Sequence, residues 1–258
     1  MFAAPQFITG HFTPQRVFLA DKEYGLALDA LVKGCSDVLL LSSDRTRVHL
    51  GRRKVEPQPD WWFVGGRSRP GDTTTAAASR NVKREVGLDI EESRFEVVGN
   101  YSMVWNYRVQ PPTTNGTADL STIHAVTLTS DEEELVSDIT FDVDEYSESK
   151  WWDINIIVEN EGERYHPLLV NSLKSLRAKD ALLLLERAID DNENDINAVA
   201  EKAISFIKCV KEAKVNELSV KVVFDSVNLK YIPQEVEKEE ELSLKRLKTT
   251  EIKNSNTS

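Results

Sequence analysis

GRSRPGDTTTAAASRNVKREVGL, residues Gly66–Leu88, decides how this chain is read. A glycine is followed after five residues by Asp72, after seven more by Arg80, and then by Glu85, Gly87 and Leu88. TTTAAASRNVKREV (73–86) has the composition of a helix. Asp72 or Thr73 can cap its start, and Gly87 sits where a C′ glycine belongs. The pattern is therefore a loop, a helix and a second loop. On the helix, Asn81 and Glu85 are four residues apart and share a face, as do Arg80 and Arg84. A carboxylate near the end of such a helix, facing a Gly-rich loop with accessible carbonyls, offers the oxygen ligands that Mg²⁺ prefers.

Working outward, Val38–Leu41 is a strongly apolar run followed by the polar SSDRTR (42–47). Val48–Arg53 can return as a second strand, giving a hairpin. Trp61–Val64 is a further short strand, entered through VEPQPD and ended by Gly65 and Gly66. Tyr24–Lys33 can form a short amphipathic helix. Phe95–Tyr107 alternates as β structure, PPTTNG (111–116) is a loop, and Ile123–Thr129 is a strand. SDEEELVSD (130–138) reads as an acid-rich loop, and Lys150–Ile154 opens a further element. Pro167–Ile189 carries apolar residues at helical spacing.

This order predicts an α+β fold in which helices cover a mixed β-sheet. Residues 1–30 read as an arm and a short helix, 31–189 as the domain, and 190–258 as an extension. In that extension Ala198–Lys214 is a helix and Val220–Phe224 a strand. The charged residues 234–258 are expected to be disordered.

The chain has 258 residues and a net charge of −11, a balance poorly suited to binding nucleic acid through counterion release. Its two cysteines, Cys35 and Cys209, are far apart and lack zinc-site spacing, which fits a reducing compartment. No apolar run reaches the roughly 18–20 residues that span a bilayer. The first twenty residues are mildly apolar with one Arg (Arg16) and lack a compact signal-peptide core. The expectation is a cytoplasmic protein with no membrane partner, a weak organelle transit peptide being the alternative.

Three segments carry a resemblance: HLGRRKVEPQPDWWFVGGRSRPGDT (49–73), RNVKREVGL (80–88) and NGTADLSTIHAV (115–126). Together they resemble the Nudix hydrolase superfamily over residues 35–185, and within it the GDP-mannose mannosyl hydrolase type. The implied fold is a Nudix α/β/α sandwich, here with a C-terminal helical extension. Most Nudix boxes carry Glu where this chain has Asn81 and Arg84. The mannosyl hydrolase branch also lacks most of the usual acids and keeps the last Glu.

Carried over, the resemblance implies a Mg²⁺-dependent hydrolase, with Mn²⁺ as a substitute ion. Glu85 and the Gly65 carbonyl hold the metal. Arg67 contacts the diphosphate and Arg53 stabilises the leaving group. Asp37 lies near the substrate. The substrate is a nucleoside diphosphate linked to another moiety, such as the nucleotide sugar GDP-mannose, and relatives of this type often form homodimers. That branch attacks the sugar carbon using a His base preceded by Gln. In DEYSESKWW (144–152) those positions hold Tyr146 and Glu145. Tyr is too weak a base near neutral pH, so Glu145 or Glu148 is the expected base. His124, on a strand, reads as structural rather than catalytic. Trp61, Trp62, Trp151 and Trp152 read mainly as core or rim aromatics. The alternative to an enzyme is a catalytically inactive Nudix module that binds a nucleotide or a protein partner.

Overall fold

The computed structural model describes residues 4–15, 17–138, 141, 144–160, 162–191, 196–214 and 220–234. Strand β1 (Lys33–Leu41) runs through the middle of a mixed sheet. On one side it pairs antiparallel with β2 (Arg47–Arg53) and β4 (Val64–Arg67). On the other it pairs parallel with β6 (Thr117–Thr127). β3 (Trp61–Trp62) and β7 (Tyr146–Asp153) both pair with β2, and β5 (Glu96–Trp105) closes the far edge against β6.

The apolar run of β1 is buried on both faces because helices cover both. Leu39 and Leu41 join Leu50, Ile123 and the α4 (Pro167–Asp191) residues Leu169, Leu173 and Leu176 in one core. Val38 and Leu40 point the other way, into a core with Val64 and the α2 (Thr74–Val86) residues Ala78, Val82 and Val86. Alternation along one strand thus feeds two hydrophobic layers, as the expected sandwich requires.

α2 has the caps its sequence predicts. Thr73 Oγ1 accepts the Ala76 N–H at 2.9 Å, and Gly87 ends the helix with φ 70° while its N–H reaches the Lys83 carbonyl at 3.1 Å. Asp72 does not cap; it accepts from Arg80 and from the Arg69 N–H.

Several boundaries differ from the sequence reading. α1 (Asp21–Ala30) starts and stops three residues earlier than expected, which frees Lys33 to begin β1. Gly65 and Gly66 do not end a strand. Pairing with β2 stops after Trp62, and both glycines then pair with β1 inside β4. Gly65 is needed for that approach: a Cβ there would stand 2.2 Å from Asp37 Oδ1. The acid-rich 130–138 segment is not a loop but helix α3 (Ser130–Asp138). Thr129 and Glu132 form a reciprocal capping box, Glu132 accepting the Thr129 N–H at 2.8 Å and Thr129 Oγ1 accepting the Glu132 N–H at 3.3 Å. The first-turn acids favour the helix dipole, and Val136 is buried beneath.

Beyond α4, helix α5 (Ile196–Ala213) packs back on it, with Asn171 Nδ2 donating to the Ala213 carbonyl at 2.8 Å. A separate hairpin of β8 (Lys221–Asp225) and β9 (Lys230–Gln234) follows; its second strand was not expected. Gln234 therefore ends a strand, and the rest of the charged 234–258 segment lies outside the described residues. Among the described residues no helix is long and apolar enough to cross a membrane.

Candidate active site

A cleft opens where β1, β4 and β6 meet the ends of β2, β5 and β7. Asp37, Arg53, Gly65, Arg67 and Glu145 all line it. Five residues chosen from sequence, spread over more than a hundred positions, therefore share one cavity.

Asp37 is the best-defined group there. Ser121 Oγ donates to its Oδ2 at 2.5 Å, and the side chain is almost fully buried. Burial pushes its carboxyl up to about 7. The Ser121 hydroxyl opposes that rise and the nearby Glu85 charge adds to it. A carboxyl poised near neutral pH inside a cleft suits proton transfer.

Arg53 reaches the cleft beside a β-bulge. Between Arg52 and Arg53 the register with β7 slips, so Arg52 pairs with Glu148 and Arg53 with Tyr146. This slip also separates the two candidate bases. Glu145 lies on the cleft rim, whereas Glu148 is bound to Arg52 at 3.1 Å and is not among the lining residues. Arg67 is exposed, with its guanidinium carbon 5.2 Å from the centre of the Tyr24 ring.

Glu85 sits behind this wall on α2, with its side chain 6% exposed. Both of its oxygens are engaged. The Tyr146 hydroxyl donates to Oε2 at 2.7 Å, and Arg84 Nη2 is paired with Oε1. Burial raises the Glu85 carboxyl, while the Tyr146 and Arg84 contacts oppose the rise. Burial and the neighbouring Glu85 charge push the Tyr146 phenol upward, so it acts as a hydrogen-bond donor and not as a base.

The two non-acidic positions of the box have structural employment. Asn81 is fully buried, and its Nδ2 donates to the carbonyls of Ser36 (3.2 Å) and Gly66 (3.0 Å). Arg84 Nη2 donates to the Gly65 carbonyl at 3.0 Å. Arg80 adds a third brace, from its Nη2 to the Arg67 carbonyl at 3.2 Å. The helix thus meets the carbonyls of 65, 66 and 67 with N–H donors.

That arrangement bears on the expected Mg²⁺. Its two expected ligands, the Gly65 carbonyl and Glu85, both accept from Arg84. Among the described residues no group of three or more His, Cys, Asp or Glu side chains is placed to hold a metal ion. As arranged, these residues do not fit a resident divalent cation.

Other cleft residues escaped the sequence reading. Trp105 lies at the end of β5 and donates from Nε1 to Asp119 Oδ2 at 2.9 Å. Lys33 lies 3.0 Å from the other Asp119 oxygen, and all three line the cleft. The one signal was Asp119 inside the NGTADLSTIHAV segment; nothing local marked Lys33. Trp62 also lines the cleft, whereas Trp61 and Trp152 pack edge to face with centres 5.1 Å apart. His124 is fully buried against Thr74 Oγ1 at 3.2 Å, and burial lowers its pKa to about 4, consistent with a structural role.

Among solved structures, the chain is similar to the MutT protein from Methanosarcina mazei Go1 (12% identity, 58% of this chain, 95% of that chain, TM-score 0.43). It is also similar to a C. elegans Ap4A hydrolase binary complex (14% identity, 58% of this chain, 98% of that chain, TM-score 0.40). A MutT/nudix family protein from Enterococcus faecalis shares 18% identity over 48% of this chain, with a TM-score of 0.35; the chain spans only 44% of that protein. No curated protein matches. The NUDIX domain family matches residues 35–171, more than half of the chain. With the loop–helix–loop of Gly66–Leu88 in its strand and helix context, the chain belongs to the NUDIX domain family.

Proposed function

We propose that this protein hydrolyses a nucleoside diphosphate linked to another moiety, with nucleotide sugars such as GDP-mannose the first class to try. The observation that carries the reading is Asp37, a buried carboxyl raised to about 7, in one cleft with Arg53, Arg67 and Glu145. Arg53 and Arg67 supply positive charge for a diphosphate and for the leaving group. Trp62 and Trp105 supply flat apolar surface for a base or sugar. Asp37 accepts the proton of the attacking water. Glu145, on the rim, is the second acceptor in this reading, ahead of Glu148, which pairs with Arg52.

The Mg²⁺ expected from the resemblance is supported by the general habit of the family, and the Arg84 contacts speak against it. A second reading, a binding module without turnover, is favoured by the full engagement of Glu85 by Arg84 and Tyr146. Product analysis separates the two. Release of sugar or phosphate from a panel of nucleoside diphosphate derivatives supports the hydrolase. Ligand binding with no product from any member supports the module.

A further inference from the structure

We propose that Arg84 takes the place of the divalent cation, so that this chain engages a diphosphate ligand without a resident metal ion. The proposal rests on the reading that the cleft binds a diphosphate.

The position between the Gly65 carbonyl and Glu85 already holds a cation. Arg84 Nη2 lies 3.0 Å from the Gly65 oxygen and is paired with Glu85 Oε1. The second Glu85 oxygen accepts from Tyr146 at 2.7 Å, so a metal would have to share both carboxylate oxygens with hydrogen-bond donors already in place. A divalent ion bound here would have to displace the guanidinium, because two positive charges a few ångströms apart in a half-buried site repel strongly.

Arg84 is not itself a lining residue of the cleft, but its guanidinium lies directly against two that are, Gly65 and Gly66. Its side chain is 54% exposed, against 6% for Glu85. It lies over Gly66, a lining residue: a Cβ on Gly66 would stand 3.1 Å from Nη2 and 3.8 Å from Nη1. Planar guanidinium donors match phosphate oxygens well. Asn81 completes the substitution. A metal-ligating carboxylate there would face the Ser36 and Gly66 carbonyls; the amide donates to both. The two positions of the box that lack acids have become N–H donors to the same loop that a metal would organise.

The test uses the full chain, with Mn²⁺ alone and with ADP as probes. Electron paramagnetic resonance of added Mn²⁺ should show equal free ion for wild type and Glu85→Gln. Arg84→Glu should gain Mn²⁺ binding that a further Glu85→Gln removes. Calorimetry should give the same ADP affinity in EDTA as in Mg²⁺. Sub-millimolar Mn²⁺ binding by wild type that Glu85→Gln abolishes would overturn the proposal. So would a loss of about tenfold or more in ADP affinity on adding EDTA. If Arg84→Glu does not fold, the comparison of wild type with Glu85→Gln still decides. Failure to bind ADP in any buffer would count against the cleft as a diphosphate site, while the Mn²⁺ result judges Arg84 by itself.

Discussion

The Tyr146 hydroxyl donates to Glu85 Oε2 across 2.7 Å, joining β7 to the last turn of the box helix. From the resemblance in sequence alone, a catalytic His is expected where Tyr146 stands. Here that position faces a buried carboxylate and donates a hydrogen bond to it. The bond therefore braces the site and leaves base chemistry to other residues.

Tyr146→Phe should lower stability by about 1–3 kcal/mol, because it strips a hydrogen bond from a buried carboxylate without filling the gap. Denaturant unfolding of wild type and variant measures this. An unchanged midpoint and slope would mean that Glu85 does not depend on Tyr146.

The raised Asp37 carboxyl makes a signed prediction for stability. Between the ordinary value of 3.8 and about 7 the folded state binds more protons than the unfolded chain. Stability from this group is therefore highest at low pH and falls as pH rises through that window. Asp37→Asn removes the loss. Relative to wild type, the variant should gain on the order of a few kcal/mol at pH 8 and nothing comparable at pH 4. A difference between the two proteins that does not change with pH would remove the basis for a raised Asp37.

Restoring an acid at position 81 should do harm. Asn81→Asp keeps the shape but replaces two donated hydrogen bonds with a buried charge facing the Ser36 and Gly66 carbonyls. A cost of about 3 kcal/mol or more is expected, read by thermal or denaturant unfolding. A neutral substitution would show that the loop carbonyls do not need the amide.

The C-terminal hairpin offers a separate check. The Tyr231 hydroxyl accepts from Gln58 Nε2 at 2.8 Å and donates to Asp60 Oδ2 at 2.7 Å, on the segment that carries the cleft residue Pro57. Tyr231→Phe should speed amide hydrogen exchange in residues 220–234 and 54–60 while leaving α2 protected. Exchange unchanged in both segments would show that the hairpin is held by other contacts.

Much of this fold was legible in sequence because its signals are local. The Thr73 cap, the Gly87 terminus and the continuous apolar run of Val38–Leu41 each state their structure within a few residues. The TSDE capping box at Thr129–Glu132 was equally local but was masked by acidic composition, which resembles a solvated loop. Cleft membership was harder. Lys33 and Asp119 are 86 residues apart and meet only through the parallel pairing of β1 with β6. The bulge that separates Arg52 from Arg53, and so Glu148 from the cleft, has no sequence mark. Nor did the sequence show that Arg84 reaches the Gly65 carbonyl, since that contact depends on how α2 lies against β4.

The most direct measurement is product formation by wild type and Asp37→Asn across a panel of nucleoside diphosphate derivatives, followed from pH 5 to pH 9. Wild type should turn over at least one class, with a rate that rises with pH around 7. Asp37→Asn should bind the same compound and lose about a hundredfold or more in rate. Turnover in which Asp37→Asn matches wild type, or binding with no turnover of any compound, would contradict the assignment.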